Sequence, residues 1–180
     1  MRIIENYLSN QSIELVQQLI GEHVFMIYSN GLQVNVNLNL FESSSFSLSS
    51  KKGFLNFETS WIDFDDYEYY QLEVSQSKTP KEIKISEEGY LLASCSINIT
   101  PSSAISRIQL FEDKDVDEWN SEGKELITVK YDSAFLFTQE DGQQFLVGVS
   151  ETIADLTLFI RDNQSIMEHL APMERRLEWM

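Results

Sequence analysis

Hydrophobic and polar positions along this chain alternate mostly with a period of two, which is typical of strands that bury one face. The clearest case is 32–40, where every second residue is aliphatic and amide side chains lie between them. The apolar run 24–28 and the turn signal Asn30-Gly31 precede it, so the pattern predicts a hairpin followed by a long strand. Further strands are predicted at 54–61, 68–76, 82–86, 90–99, 104–111, 125–131, 133–138, 143–149 and 156–160.

Helical spacing occurs in two places. Apolar residues within 9–21 recur on one face, with Ser9 or Asn10 as the N-cap and Gly21 as the expected end. The helical pattern returns from Asn163, and Pro172 is expected to break or restart that helix. Six serines fall within 43–50, and this segment is predicted to be a loop or an edge strand.

These elements predict an α+β protein that is predominantly antiparallel β. We expect a sheet or sandwich of roughly ten short strands, with an N-terminal helix and a C-terminal helical segment. Strands and helices do not alternate along the chain, so no parallel sheet is predicted. The 180 residues fit a single domain, 1–180, with at most a weak subdivision near 100–103.

The formal net charge of −16 is unevenly distributed. Residues 61–120 contain thirteen acidic and five basic side chains, which is half of the whole excess. A negative field of this size repels nucleic acid and anionic membranes, and it speeds encounter with a cationic partner. We therefore expect a basic protein as the partner, and neither nucleic acid nor a membrane.

Two acidic runs, 63–68 and 112–118, are the densest in the chain, and aromatic residues interleave with the first. Tyrosine and tryptophan dominate binding hot spots, and acids accelerate association with a basic surface. The alternative is that these aromatic residues belong to the core and the acids only solubilise a strand. The candidate partner-binding residues are Trp61, Asp63, Asp65, Asp66, Tyr67, Glu68, Tyr69, Tyr70, Asp113, Asp115, Asp117 and Glu118.

Asp113, Asp115 and Asp117 have the spacing that opens a calcium-binding loop. Such a loop requires glycine at its sixth position and glutamate at its twelfth, where this chain has Glu118 and Lys124. Both departures weigh against an EF-hand. We predict no metal site here, and a looser Ca²⁺ or Mg²⁺ site stays open as the alternative to a solvated acidic loop.

Sequence motifs for catalysis are weak. His23 and His169 are the only histidines, and no Gly-x-Ser-x-Gly motif accompanies them. Cys95 lies in an apolar run, where a small buried side chain is the simplest interpretation. We predict no catalytic residues, no cofactor and no enzymatic activity. A lone cysteine and the lack of an apolar leader sequence make the cytoplasm the expected location.

The leading functional hypothesis is a non-catalytic protein-binding domain that recognises a basic partner. An immunity or inhibitor protein that neutralises a toxin or nuclease has this type of composition. The alternatives are a structural or assembly subunit, and a β protein that binds a small molecule or lipid. The oligomeric state is left open.

Overall fold

Short strands dominate the computed structural model, which describes residues 2–37, 39–64, 67–116, 127–150 and 156–180. In chain order the strands are β1 (Arg2–Asn6), β2 (Met26–Ser29), β3 (Gln33–Asn35), β4 (Leu40–Ser43), β5 (Ser45–Ser50), β6 (Gly53–Phe64), β7 (Tyr67–Ser77), β8 (Lys84–Ile85), β9 (Leu91–Leu92), β10 (Cys95–Asn98), β11 (Ile105–Val116), β12 (Ile127–Gln139), β13 (Gln144–Val149), β14 (Thr157–Ile160) and β15 (Glu174–Trp179). The helices are α1 (Asn10–Gln17) and α2 (Asn163–Leu170).

The strands form two sheets and a small ribbon. The larger sheet has the order β15-β11-β12-β13-β14-β4-β3, all antiparallel, and β1 adds to β12 in parallel. The smaller sheet has the antiparallel order β10-β2-β5-β6-β7, and β8 pairs with β9. The prediction of a mainly antiparallel α+β protein with one helix near each end of the chain is confirmed.

Phenylalanine rings fill the space between the two sheets. Phe57 of the smaller sheet lies 5.8 Å from Phe135 of the larger one, and Phe46 lies 5.9 Å from Phe159, measured between ring centroids. The alternating pattern places one face of the paired strands of both sheets here, among them β5, β6, β12 and β13, where burial of apolar surface stabilises the fold. This core takes residues from both sides of 100–103, the position of the predicted subdivision.

The two helices cover different parts of the sandwich. In α2, Ile166 packs on the outer face of the larger sheet in a second apolar cluster that includes Leu136 and Leu146. Helix α1 packs against β7, and its N-cap Ser9 accepts a hydrogen bond of 3.1 Å from the Ser12 amide. Both helices are shorter than predicted, and the chain after Pro172 forms strand β15 rather than more helix.

The predicted long strand at 32–40 is wrong. Only β3 and the first residue of β4 are extended, and the backbone turns between them. The Asn35 side chain accepts a hydrogen bond of 3.1 Å from the Asn37 amide, and Asn39 has a positive φ of 51°. Asparagine side chains compete with strand pairing in this way, and Val34 and Val36 are left exposed.

Two further predictions about strand pairing are also wrong. Asn30-Gly31 does not close a hairpin, because β2 pairs with β5 and β10 whereas β3 pairs with β4 in the other sheet. The serine-rich segment is not a loop or an edge, because β5 lies between β2 and β6. Its buried Ser47 hydroxyl donates to the Asn56 side chain at 2.7 Å, so the polar group is satisfied inside the sheet.

Candidate protein-binding surface

Two hairpins that carry candidate acidic residues, among them Asp63 and Asp113, lie against each other at one end of the sandwich. Hairpin β6–β7 is paired up to Phe64 and Tyr67, and β11 is paired with β12 up to Val116 and Thr128. A small apolar cluster joins these two hairpins, and within it the Tyr69 and Tyr131 rings lie 5.8 Å apart. We call this part of the molecule the acidic end: the described residues 61–64 and 67–70 of the first hairpin and 112–116 of the second.

The aromatic candidates divide between core and surface. Tyr69 is only 5% exposed, and its hydroxyl accepts a hydrogen bond from the Asn6 side chain. Burial raises the pKa of the Tyr69 hydroxyl, and the bond from Asn6 acts in the opposite direction. Tyr70 is partly buried against the main core, whereas Trp61 is 52% exposed. Tyr69 is therefore part of the core, and Trp61 is the surface aromatic of these three.

The acidic candidates that the structure describes lie on both hairpins. Asp63 is exposed and lies two residues from Trp61, so both side chains project from the same face of β6. Asp113 is partly buried and lies opposite Tyr131 in the register of β11 and β12. Its carboxylate accepts a hydrogen bond of 2.7 Å from the Lys114 amide.

The side chains of the remaining seven candidates lie outside the described part of the structure. Only the backbone of Tyr67, Glu68 and Asp115 is described, within strands β7 and β11. The other four candidates lie outside the described residues: Asp65, Asp66, Asp117 and Glu118.

A buried ion pair that the sequence did not reveal lies on the opposite face of β12 from Tyr131. Both nitrogens of the Arg176 fork bond the Asp132 carboxylate at 2.7 Å, and the Leu8 amide donates to it at 2.8 Å. Asp132 is 1% exposed. Burial raises the pKa of Asp132, and the bonds from Arg176 and Leu8 oppose that shift. The pair ties β15 and the segment after β1 to the centre of the larger sheet.

A second set of polar contacts adjoins this pair. The Tyr7 hydroxyl donates to Glu112 at 2.8 Å, and the Lys130 ammonium donates to the other oxygen of Glu112 at 3.1 Å. Burial alone would raise the pKa of Glu112, but the bonds from Tyr7 and Lys130 lower it on balance. The Arg176 guanidinium lies 4.4 Å from the centre of the Tyr7 ring, which is a cation–π contact. The polar groups of these side chains find their hydrogen-bond and charge partners within the set, as is typical of a network that stabilises the fold.

The described aspartates of the candidate calcium loop and Cys95 lie in different sheets. In that part of the chain no group of three or more His, Cys, Asp or Glu side chains is placed to hold a metal ion. Asp113 and Asp115 lie two positions apart within strand β11. The third aspartate of the candidate calcium loop, Asp117, lies outside the described residues. Cys95 is partly buried in β10, opposite Ser29.

No protein-family model matches this chain, and no curated protein or solved structure resembles it significantly. Neither of the two described helices has the length and apolar character that crossing a membrane requires.

Proposed function

We propose that this protein is a non-catalytic binding domain that recognises a basic partner protein through the acidic end. An immunity or inhibitor protein that neutralises a cationic toxin or nuclease fits this proposal best. The carboxylates would then occupy the positions that substrate phosphates take on such a partner.

The observation that carries the proposal is the Tyr69–Tyr131 cluster, because it joins the hairpins that bear the two acidic runs. Trp61 supports it: a half-exposed tryptophan beside the exposed Asp63 combines a large contact area with a charge. Hot spots of interfaces commonly combine an aromatic anchor with surrounding polar groups. The rigid apolar base beneath them limits the entropy that binding would cost.

The test is capture of a partner from lysate of the source organism, with the wild type compared with Asp63→Lys and Trp61→Ala. Both substitutions alter exposed side chains, so the fold is expected to persist. We expect a stoichiometric basic protein with the wild type and a loss of at least about tenfold in affinity with either variant. Glu140→Lys is the matched control. It makes the same charge change as Asp63→Lys, but at an exposed acid in the β12–β13 turn, away from the acidic end.

Kinetics provide the second readout. The association rate of the captured pair should fall steeply as salt rises, because screening becomes effective at a Debye length of about 8 Å under physiological conditions. An association rate that does not respond to salt would contradict the proposed mechanism. Equal capture by the wild type and Asp63→Lys would contradict the proposed surface.

A further inference from the structure

A cavity of about 460 Å³ opens on the surface beside the turn between β5 and β6. It lies at the start of β6, and the acidic end lies at the other end of the same strand. Eight residues of extended chain, 53–60, lie between the two and span roughly 26 Å. The cavity is lined by Glu22, His23, Phe25, Ser49, Ser50 and Lys51.

Two aromatic rings form one wall of the cavity. Phe25 is 60% exposed, and its ring stacks on that of His23 with centroids 5.6 Å apart and an angle of 15° between the planes. Because Phe25 is mostly exposed, burial of its ring contributes little free energy to the fold. The position of the two rings is therefore set by the backbone that carries them. The chain keeps a large apolar surface available to solvent at this position.

The backbone under these rings is held on both sides. The Phe25 carbonyl accepts a hydrogen bond of 3.0 Å from the Ile99 amide, and His23 forms a bridge with Ala104. Between them Val24 is buried, and its carbonyl accepts a hydrogen bond of 3.1 Å from the Ser102 hydroxyl. A ligand would therefore meet rings whose backbone is already ordered, which reduces the entropy lost on binding.

One acid and one base, Glu22 and Lys51, line the mouth, so the charge there balances although the whole chain carries −16. The Lys51 ammonium lies 3.2 Å from Glu22, but the lysine side chain is 77% exposed and that of Glu22 only 20%. The neighbouring Lys52 bonds the neutral Gln18 amide oxygen at 2.9 Å, so its charge is not compensated by that contact. Lys51 is therefore the more exposed partner of the ion pair at this mouth.

We propose that this cavity binds a small, flat aromatic acid. The ring of the ligand stacks on Phe25, offset in the way that aromatic pairs prefer, and its carboxylate accepts a hydrogen bond from Lys51. The lysine has donors to spare, since one contact with Glu22 uses only part of its capacity. An apolar wall with a few polar groups at the rim is typical of small-molecule sites. This site is separate from the acidic end and does not depend on the function proposed there.

The test is a titration of the ¹⁵N-labelled protein with phenylacetate, followed by amide chemical shifts. We expect saturable shifts confined to residues 22–26 and 49–52, with a dissociation constant on the order of 1 mM, as for other fragments of this size. Phe25→Ala should weaken binding by about tenfold or more, and Lys51→Gln by a smaller factor. Tyr90→Ala is the matched control, because Tyr90 is an exposed aromatic residue outside this cavity and its loss should leave binding unchanged.

Benzylamine, with the same ring and the opposite charge, separates the two parts of the proposal. Weaker binding of benzylamine than of phenylacetate supports the assigned ligand class, and equal or tighter binding overturns it. Shifts that do not saturate, that fall outside this segment, or that persist in Phe25→Ala overturn the site itself. Melting curves of each variant confirm that the fold is retained.

Discussion

At the scale of the residue, the most consequential titratable group outside the ion-pair network is His169 on α2. Its Nε2 atom is shielded from solvent and has no hydrogen-bond partner among the described residues. Burial lowers the pKa of this imidazole from 6.5 to about 4, because the charged form loses its hydration there. His169 is therefore neutral at neutral pH, and its protonation within the fold costs free energy.

The free energy of unfolding should decrease as the pH falls from 6.5 to 4. Over this range the unfolded chain binds a proton at His169 and the folded chain does not, so acid favours unfolding by no more than about 3 kcal/mol. The measurement is urea denaturation at a series of pH values. His169→Gln should flatten the dependence relative to the wild type, whereas the exposed His23→Gln should not. Parallel curves for wild type and His169→Gln would refute this role.

At the scale of the element, the turn between β5 and β6 depends on a close backbone approach. Gly53 has a positive φ of 119°, and a Cβ atom at this position would lie 2.5 Å from the carbonyl oxygen of Ser77 at the end of β7. Only glycine fits both conditions, because the clashing atom belongs to backbone that is already paired. The same turn also places Lys51 at the mouth of the cavity.

Gly53→Ala should therefore destabilise the protein by about 2 kcal/mol or more, from strain and from displacement of β7. Chemical denaturation of the variant measures this cost. Gly31→Ala is the matched control: a Cβ atom there meets no other atom within 4 Å, so the change should stay within about 0.5 kcal/mol. Equal effects of the two substitutions would show that the contact with Ser77 does not matter.

The sequence predicts elements well where burial decides the pattern. The predicted strands 54–61, 68–76 and 143–149 agree with β6, β7 and β13, because each contributes apolar residues at every second position to the core between the sheets. The same alternation misleads at 32–40, where asparagine side chains bond the local backbone and the valines stay exposed. Periodicity reports which residues could share a face, and it does not report whether another layer covers that face.

The candidate surface was predictable only in part. Acidic and aromatic residues adjacent in sequence identify the first hairpin, but alternation alone could not assign Tyr69 to the core and Trp61 to the surface. The Asp132–Arg176 pair left no signal, because its partners are 44 positions apart and meet only through the order of strands in the sheet. Such contacts follow from topology, which one sequence does not specify.

At the scale of the whole molecule, charge differs between the two ends of hairpin β6–β7. Lysines gather near the start of β6: Lys51 and Lys52 precede it, and Lys78 follows Ser77, which pairs with Phe54. Asp63 lies near the other end of the same hairpin, where it pairs with Glu68. A cationic partner would therefore be oriented as well as attracted before contact.

Added sodium chloride should raise the melting temperature of this protein by several degrees. The net charge of −16 produces self-repulsion in the folded state, and ions screen it once the Debye length falls to about 10 Å near 0.1 M salt. A salt series read by differential scanning calorimetry measures the effect. Asp63→Lys lowers the net negative charge at the acidic end, so this variant should gain less from salt. A melting temperature that falls with salt would mean that favourable ion pairs outweigh the repulsion.

Strand β1 has a consequence for how the chain reaches this fold. Its parallel register places Ile4 beside Val129, so this pairing closes a loop through most of the molecule, whereas β6 and β7 pair with each other close in sequence, from Phe64 and Tyr67 onward. Loop-closure entropy makes local hairpins form early and such distant pairings late. Until the segments around Leu8 and Arg176 dock, Asp132 lacks both of its partners and must remain hydrated. The final docking of these segments therefore removes water from Asp132 and gives it its partners in the same step.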